Sequence, residues 1–383
     1  MVASEPPLFT EGVSTPFLES LAGRSVAGEV PEDTEPPPEE KVHGVGRLLI
    51  GLGLVVAGIA VMWLFLAPLG DTDGIIKVPA VLAGVGIVLT GLHYTFTAIW
   101  GPRFETGFWL SLFWVVALTL AAVFAAWLPL AEHVDTTKTI AEPGNLRPDL
   151  FSEHPLGTNN FSLDLLAQSI YGARVSLLTS VFAVAISMTI GGLIGMFAGY
   201  FRGWADTGIG VIGDSLLAFP PLILLVALAA VFGQPTGVGD AIYKAGFALA
   251  IVGIPTSMRL ARANTLVFAQ REFVLASKAM GAKNSRIVLR ELMPNVAIPL
   301  VSYSFIIIAV LIIAEGSLSF LGLGLQQPEP TWGNMIAEAD LTTLRDDPHI
   351  ALVPGAFMFI TVYAFNRIGE RARSKWDPRE AKV

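Results

Sequence analysis

REFVLASKAMGAKNSRIVLRELMPN, residues 271–295, is the longest charged interruption in an otherwise apolar second half, and basic residues outnumber acidic ones in it. Glu272, Ala276 and Met280 recur at i, i+4 and i+8, with Ser277 and Ala279 beside them. That spacing puts them on one face of a short helix. Gly281 supplies the permissive backbone for a turn. Asn284 or Ser285 can cap a second helix, whose apolar Ile287, Val288, Leu292 and Met293 end at Pro294. The stretch predicts two short helices around a glycine. Small residues before the turn let a partner's surface approach closely. The alternative is an amphipathic hairpin that only orders a loop.

Working outward, the chain is 53% hydrophobic and 15% charged, which favours a membrane protein before any motif is read. It has no cysteine, which excludes disulfides, thiolate metal sites and thiol catalysis. Its net charge of -8 matters less than how Lys and Arg divide between two sides. Residues 1–44 are acidic and proline-rich, a composition that cannot bury a core and reads as a disordered tail. They lack the basic start and apolar run of a signal peptide.

Eight apolar segments are long enough to cross a bilayer, at about 48–69, 78–100, 108–130, 174–200, 208–232, 241–260, 296–316 and 350–368. With the N-terminus inside, Arg103, Arg202, the basic run from Arg259 to Arg290 and the tail from Arg367 to Lys382 all fall inside. Outside fall Lys77, Lys138, Arg147, Arg174, Lys244 and Arg345. The positive-inside rule therefore places both termini and the 271–295 hairpin in the cytoplasm. The expected fold is an all-α integral membrane protein with eight transmembrane helices.

Within the spans, Gly191, Gly195 and Gly199 form a four-residue stripe suited to close helix packing in lipid. Pro220 and Pro221 remove two ladder donors and kink the fifth span, as suits either a moving pathway helix or a static one. Asp214 and Glu315 are intramembrane carboxylates, hence pathway or gating candidates, unless each is satisfied near an interface. His93 is a third ionisable group, read as satisfied by a neighbour. No chain of carboxylates crosses the membrane, so no proton relay is expected.

Residues 271–295 resemble the EAA loop of ABC-importer permeases: two small residues, a glycine, and a proline at set spacing. Ala276 and Ser277 fill the small pair, Gly281 the glycine slot and Pro294 the proline slot. Leu275 stands in the usual Glu slot, Glu291 in the Ile slot and Met293 in the Leu slot. Glu272 fits the peptide-permease variant. Residues 154–178, HPLGTNNFSLDLLAQSIYGARVSLL, resemble the C-type permeases of dipeptide, oligopeptide and nickel importers. Asn159, Ser162 and Leu163 depart from that family's Asp, Gly and Arg, so an ion pair of Asp with Arg cannot be carried over. Residues 318–336, LSFLGLGLQQPEPTWGNMI, match the same family almost throughout. They read as a span end, a glycine-rich turn and an outer loop closed by Trp332 at the interface. AFNRIGERARSKWDPR at 364–379 is similar to the family's ending.

The resemblance covers about 105–380 and implies a type I ABC-importer permease core of six spans, 105–369, after an extra N-terminal hairpin, 45–104. An extracytoplasmic segment at 131–173, a cytoplasmic coupling loop at 264–295 and a tail at 370–383 complete the division. It implies a second homologous permease, two cytoplasmic ATPase subunits and an extracytoplasmic substrate-binding protein as partners, in membrane lipid and without nucleic acid. Glu272, Ala276, Ser277, Met280, Gly281 and Pro294 are then the ATPase-coupling residues; Asp214, Pro220, Pro221 and Glu315 are the pathway or gating candidates. No G-x-x-x-x-G-K-[ST] run cradles a phosphate, so ATP is expected to be hydrolysed by another chain. No catalytic residue, cofactor or metal site is expected. The implied cargo is a di- or oligopeptide, with nickel, glutathione or another small solute as alternatives. A rival is an ion-driven secondary transporter, which needs broken helices at midmembrane, repeats and buried ion ligands. A third reading is a membrane scaffold.

Overall fold

A computed structural model describes residues 44–66, 74–101, 104–149, 151–339 and 341–376. The expected tail at 1–44, apart from Gly44, and the end of the 370–383 tail lie outside these residues. Among the described residues the chain is helical and forms no strand beyond one isolated bridge between Thr158 and Asp164. Among these described residues seven helices are long and apolar enough to cross a membrane, and one bent helix pair makes an eighth candidate.

Helices α1 (Gly44–Leu66) and α2 (Gly74–Trp100) form an antiparallel pair. Gly51 and Gly58 of α1 lie against the backbone of α2 at Gly91 and Gly84, so the two helices meet closely. The pair's main packing on the rest of the protein is against α3 (Thr106–Val123). There Phe96, Trp100, Phe104 and Trp109 stack in series, with ring centroids 5.2–6.3 Å apart. α3 ends at Val123, short of the expected 130, and Ala125–Trp127 is a single 3-10 turn.

The core is built on α4 (Leu165–Phe201), α7 (Val238–Phe268) and the helix running from Asn284 to Phe320, whose regular part is α9 (Met293–Phe320). α4 has 37 residues, about 56 Å at the standard rise, and so outreaches a bilayer core. Asp164 caps its start by accepting from the Ala167 N–H at 2.7 Å. The glycine stripe of α4 meets α7. Gly191 lies on the Ile254 carbonyl, Gly195 on that of Met258 and Gly199 on that of Arg262. α11 (His349–Trp376) packs antiparallel on α9, and Arg371 pairs with Glu105 at the start of α3. Leu118, Leu177, Leu249, Ile308, Ile312 and Phe365 fill the shared core.

The fifth expected span, 208–232, is not one kinked helix. It is α5 (Gly203–Ala218) and α6 (Pro221–Phe232), bent by 92°. Pro221 drives the residue before it out of the helical region, and Pro220 is extended at φ -56°, ψ 124°. Pro221 then sits where a helix tolerates a missing donor, at its first position. At 16 and 12 residues, neither arm alone covers about 30 Å.

Pro294 does not end a helix either. Ile287–Leu292 is a π-turn, and the Met293 N–H reaches back to the Val288 carbonyl. The wider turn takes Pro294 into the first turn of α9 without a broken bond. The Asn295 side chain donates to the Glu291 carbonyl, one of the acceptors released there. Trp332, expected at an interface, is instead fully buried in α10 (Trp332–Ala337), its indole donating to the Ser169 carbonyl at 3.0 Å. Thr331 and Asn334 close a reciprocal capping box at the start of α10.

Candidate functional site: the helical hairpin at 271–295

The first helix of the hairpin, α8 (Glu272–Ala279), starts after an extended Arg271 and carries Glu272 in its first turn and Lys278 in its last. Both charges complement the helix dipole. Its inner face is Val274 and Ser277. Val274, Ile287 and Leu292 are fully buried beside the nearly buried Ala269, edged by Tyr200, Phe268, Ala282 and Val288. Each of the three large aliphatic side chains contributes roughly 1.5–3 kcal/mol on burial. Tyr200, near the end of α4, adds two polar ties. Its hydroxyl donates to Asn284 Oδ1 at 2.9 Å, and Lys278 Nζ lies 5.1 Å from its ring centre. Asn284 is therefore a partner of α4, not the expected cap; Lys283 holds the cap position without a side-chain bond. The hairpin is fastened at once to α4, α7 and the π-turn leading into α9.

Glu272, Ala276 and Met280 are exposed along one side of α8, with Leu275 and Ala279 between them, and Met280 is 80% exposed. Gly281 ends the helix at φ +77° in a complete Schellman turn. Its N–H donates to the Lys278 carbonyl and that of Ala282 to the Ser277 carbonyl, both at 3.0 Å. Ser277 turns inward instead of joining the exposed face, and Pro294 lies beyond the π-turn. The structure thus gathers Glu272, Ala276, Met280 and Gly281 and sets Ser277 and Pro294 apart as parts of the support. Tyr200 and Asn284 belong to that support and carry no local sequence signal.

The pathway candidates lie in separate places. Asp214 is exposed on α5 and pairs with Arg259 of α7, while Asp206 takes a two-pronged bond from Arg262. Pro220 and Pro221 form the elbow between α5 and α6. Glu315 is 2% exposed and lines no open passage in this conformation. His93 is exposed, beside the ring of Tyr94.

At the opposite end of the bundle, residues 124–149 and 151–164 fold over the start of α4. Glu132 accepts from Lys138 at 2.8 Å and from three backbone N–H groups, which hold its carboxyl down at about 2. Asn159 accepts from the Phe161 and Leu163 N–H groups and donates to Glu338 Oε2 at 3.1 Å. Burial pushes the Glu338 carboxyl up, and the Asn159 donor works against that. An Asp at 159, as in the family's usual pattern, would set two carboxylates against each other here. Leu163, where the family has Arg, is buried. Here Asn159 makes an amide–carboxylate bond to Glu338, and Leu163 is packed in the interior. Among the described residues no group of His, Asp and Glu could hold a metal.

The family model for the inner membrane component of binding-protein-dependent transport systems matches residues 191–380, which take in the whole hairpin. The dipeptide transport system permease protein DppC of Alkalihalophilus pseudofirmus is 33% identical over 265 residues, 69% of this chain and 83% of the relative. The chain belongs to this permease family. The glutathione transport system permease protein GsiD of Pectobacterium atrosepticum is 38% identical over 232 residues, 60% of this chain and 73% of that one. The corresponding protein of Escherichia coli O157:H7 is 37% identical over 265 residues, 69% and 84%. A solved inward-facing MetNI methionine ABC transporter chain aligns with a TM-score of 0.45 at 20% identity, over 55% of this chain and 97% of its own. This permease is a multi-pass membrane subunit of an ABC importer.

Proposed function

We propose that this permease forms half of a peptide pathway and couples to ATPase subunits through α8. The observation that carries the reading is the hairpin's construction: an exposed face at Glu272, Ala276 and Met280 on a helix fastened to α4, α7 and α9. A push on that face moves three membrane helices together. ATP-driven closure of two cytoplasmic ATPase subunits would supply the push and swing the spans between inward and outward access. A second homologous permease supplies the other half of the pathway, and an extracytoplasmic binding protein delivers the cargo. Both termini are cytoplasmic in this reading, the basic end carrying α8 facing inward. The chain itself catalyses no bond chemistry.

The dipeptide relative supports a di- or oligopeptide cargo. A glutathione cargo is favoured by the relatives at 37–38% identity, and glutathione is itself a small peptide. Proteoliposomes holding all subunits and the cognate binding protein test both readings. ATP-dependent uptake of a labelled dipeptide, competed by other peptides, supports the first; uptake of glutathione alone selects the second. Uptake driven by an ion gradient without ATP contradicts both.

A further inference from the structure

Glu315 lies five residues before the end of α9, covered by α4, and is 2% exposed. Ser319, one turn further on, donates from its hydroxyl to Glu315 Oε1 at 2.7 Å. From α4, the fully buried Ser176 faces the carboxyl. Glu315 Oε2 and Ser176 Oγ are both buried and have no other hydrogen-bond partner. α10 closes the site from its end of the bundle. Trp332 is fully buried on the Ser169 carbonyl, and Gly333 lies on the Gly316 carbonyl and against Ser319. Among the described residues no cation pairs with the carboxyl: Arg174 of α4 is exposed, and the side chains next to Glu315 are the two serines.

An ionised carboxylate buried among membrane helices without a counter-charge is costly, and such groups take up a proton instead. Ser176 can pair with Oε2 in either state, donating to an ionised carboxylate or accepting from a neutral acid; burial without a counter-charge selects the neutral acid. We propose that Glu315 is a resident proton-binding site: a neutral carboxylic acid whose Oε2–H donates to Ser176 Oγ and ties α4 to α9 beneath α10. Gln at 315 has the same shape and keeps both a donor and an acceptor.

Infrared difference spectroscopy of the full complex at neutral pH tests this, comparing wild type with Glu315→Gln and Ser176→Ala. The expected result is a carbonyl-stretch band of a neutral carboxylic acid that is absent from Glu315→Gln. In Ser176→Ala it moves to higher frequency, because the donated bond is lost. Glu315→Gln should also assemble like wild type. A spectrum without the band, or a band unmoved by Ser176→Ala, overturns the proposal. So does a sodium-dependent thermal stability that Glu315→Gln abolishes, which marks an ionised carboxylate holding a cation. If Glu315→Gln does not assemble, the wild-type and Ser176→Ala spectra decide alone.

Discussion

Gly281 shows what a single backbone angle contributes to the hairpin. A Cβ built there meets nothing within 4 Å, so space is not the constraint; the angle of φ +77° is. A β-branched residue in that region costs roughly 1–3 kcal/mol, whereas Asn tolerates it. Gly281→Val should therefore insert and assemble but lose ATP-driven uptake, while Gly281→Asn keeps most of it. Uptake measured beside co-purification of the ATPase subunits checks this, and full uptake with Val would remove the turn from the coupling mechanism. At this scale the sequence was legible where the cause is local. Gly281 follows from helix periodicity and turn chemistry. Ser277, Asn284 and Trp332 were misread because their partners are distant in sequence: the inner cluster under α8, Tyr200, and the Ser169 carbonyl. No pattern of neighbouring residues reveals such partners.

Among elements, the α4–α7 contact is the frame that would transmit motion from α8. Gly195 sits at its tightest point, where a Cβ would come within 2.2 Å of the Met258 carbonyl oxygen. Backbone cannot yield as a flexible side chain does, so the helices must part. Gly195→Ala should destabilise the permease by about 1–3 kcal/mol, the usual scale for overpacking. Gly208→Ala, with nothing within 4 Å of its Cβ, should leave stability near wild type. Thermal unfolding of the two purified variants compares them, and an unchanged Gly195→Ala would mean the pair is looser than its geometry. Apolar runs made the long helices legible, and the small-residue stripe marked a packing face. The paired prolines located a break but not its angle. Two ion pairs to α7, Asp206 with Arg262 and Asp214 with Arg259, hold α5, and they depend on residues about fifty positions away. The π-turn was hidden for a related reason. A proline reads locally as a stop, and only the backbone around it reveals the accommodation.

At the scale of the whole molecule, α1 and α2 have few ties to the other helices. They pack on each other and reach the rest of the protein chiefly through the aromatic stack onto α3. Deleting residues 1–100, with a new start before Arg103, should leave ATP-driven uptake substantially intact while lowering assembly or stability. Normal assembly with abolished uptake would instead put the hairpin in the transport path. Because the chain has no cysteine, single introduced ones report sidedness cleanly. Lys283→Cys should resist impermeant thiol reagents in intact cells, and the exposed Gln326→Cys should react. If α8 meets the ATPase, a cross-link between the two shows it most directly. Met280→Cys, at the exposed tip of the helix, is placed opposite single cysteines on the ATPase surface in the assembled complex. Oxidation should trap the pair at a yield that changes when ATP binds, and the trapped complex should stop transporting until reduced. Full transport with Met280→Cys permanently cross-linked to an inert surface, or no ATPase cross-link at any position while uptake continues, would contradict the account.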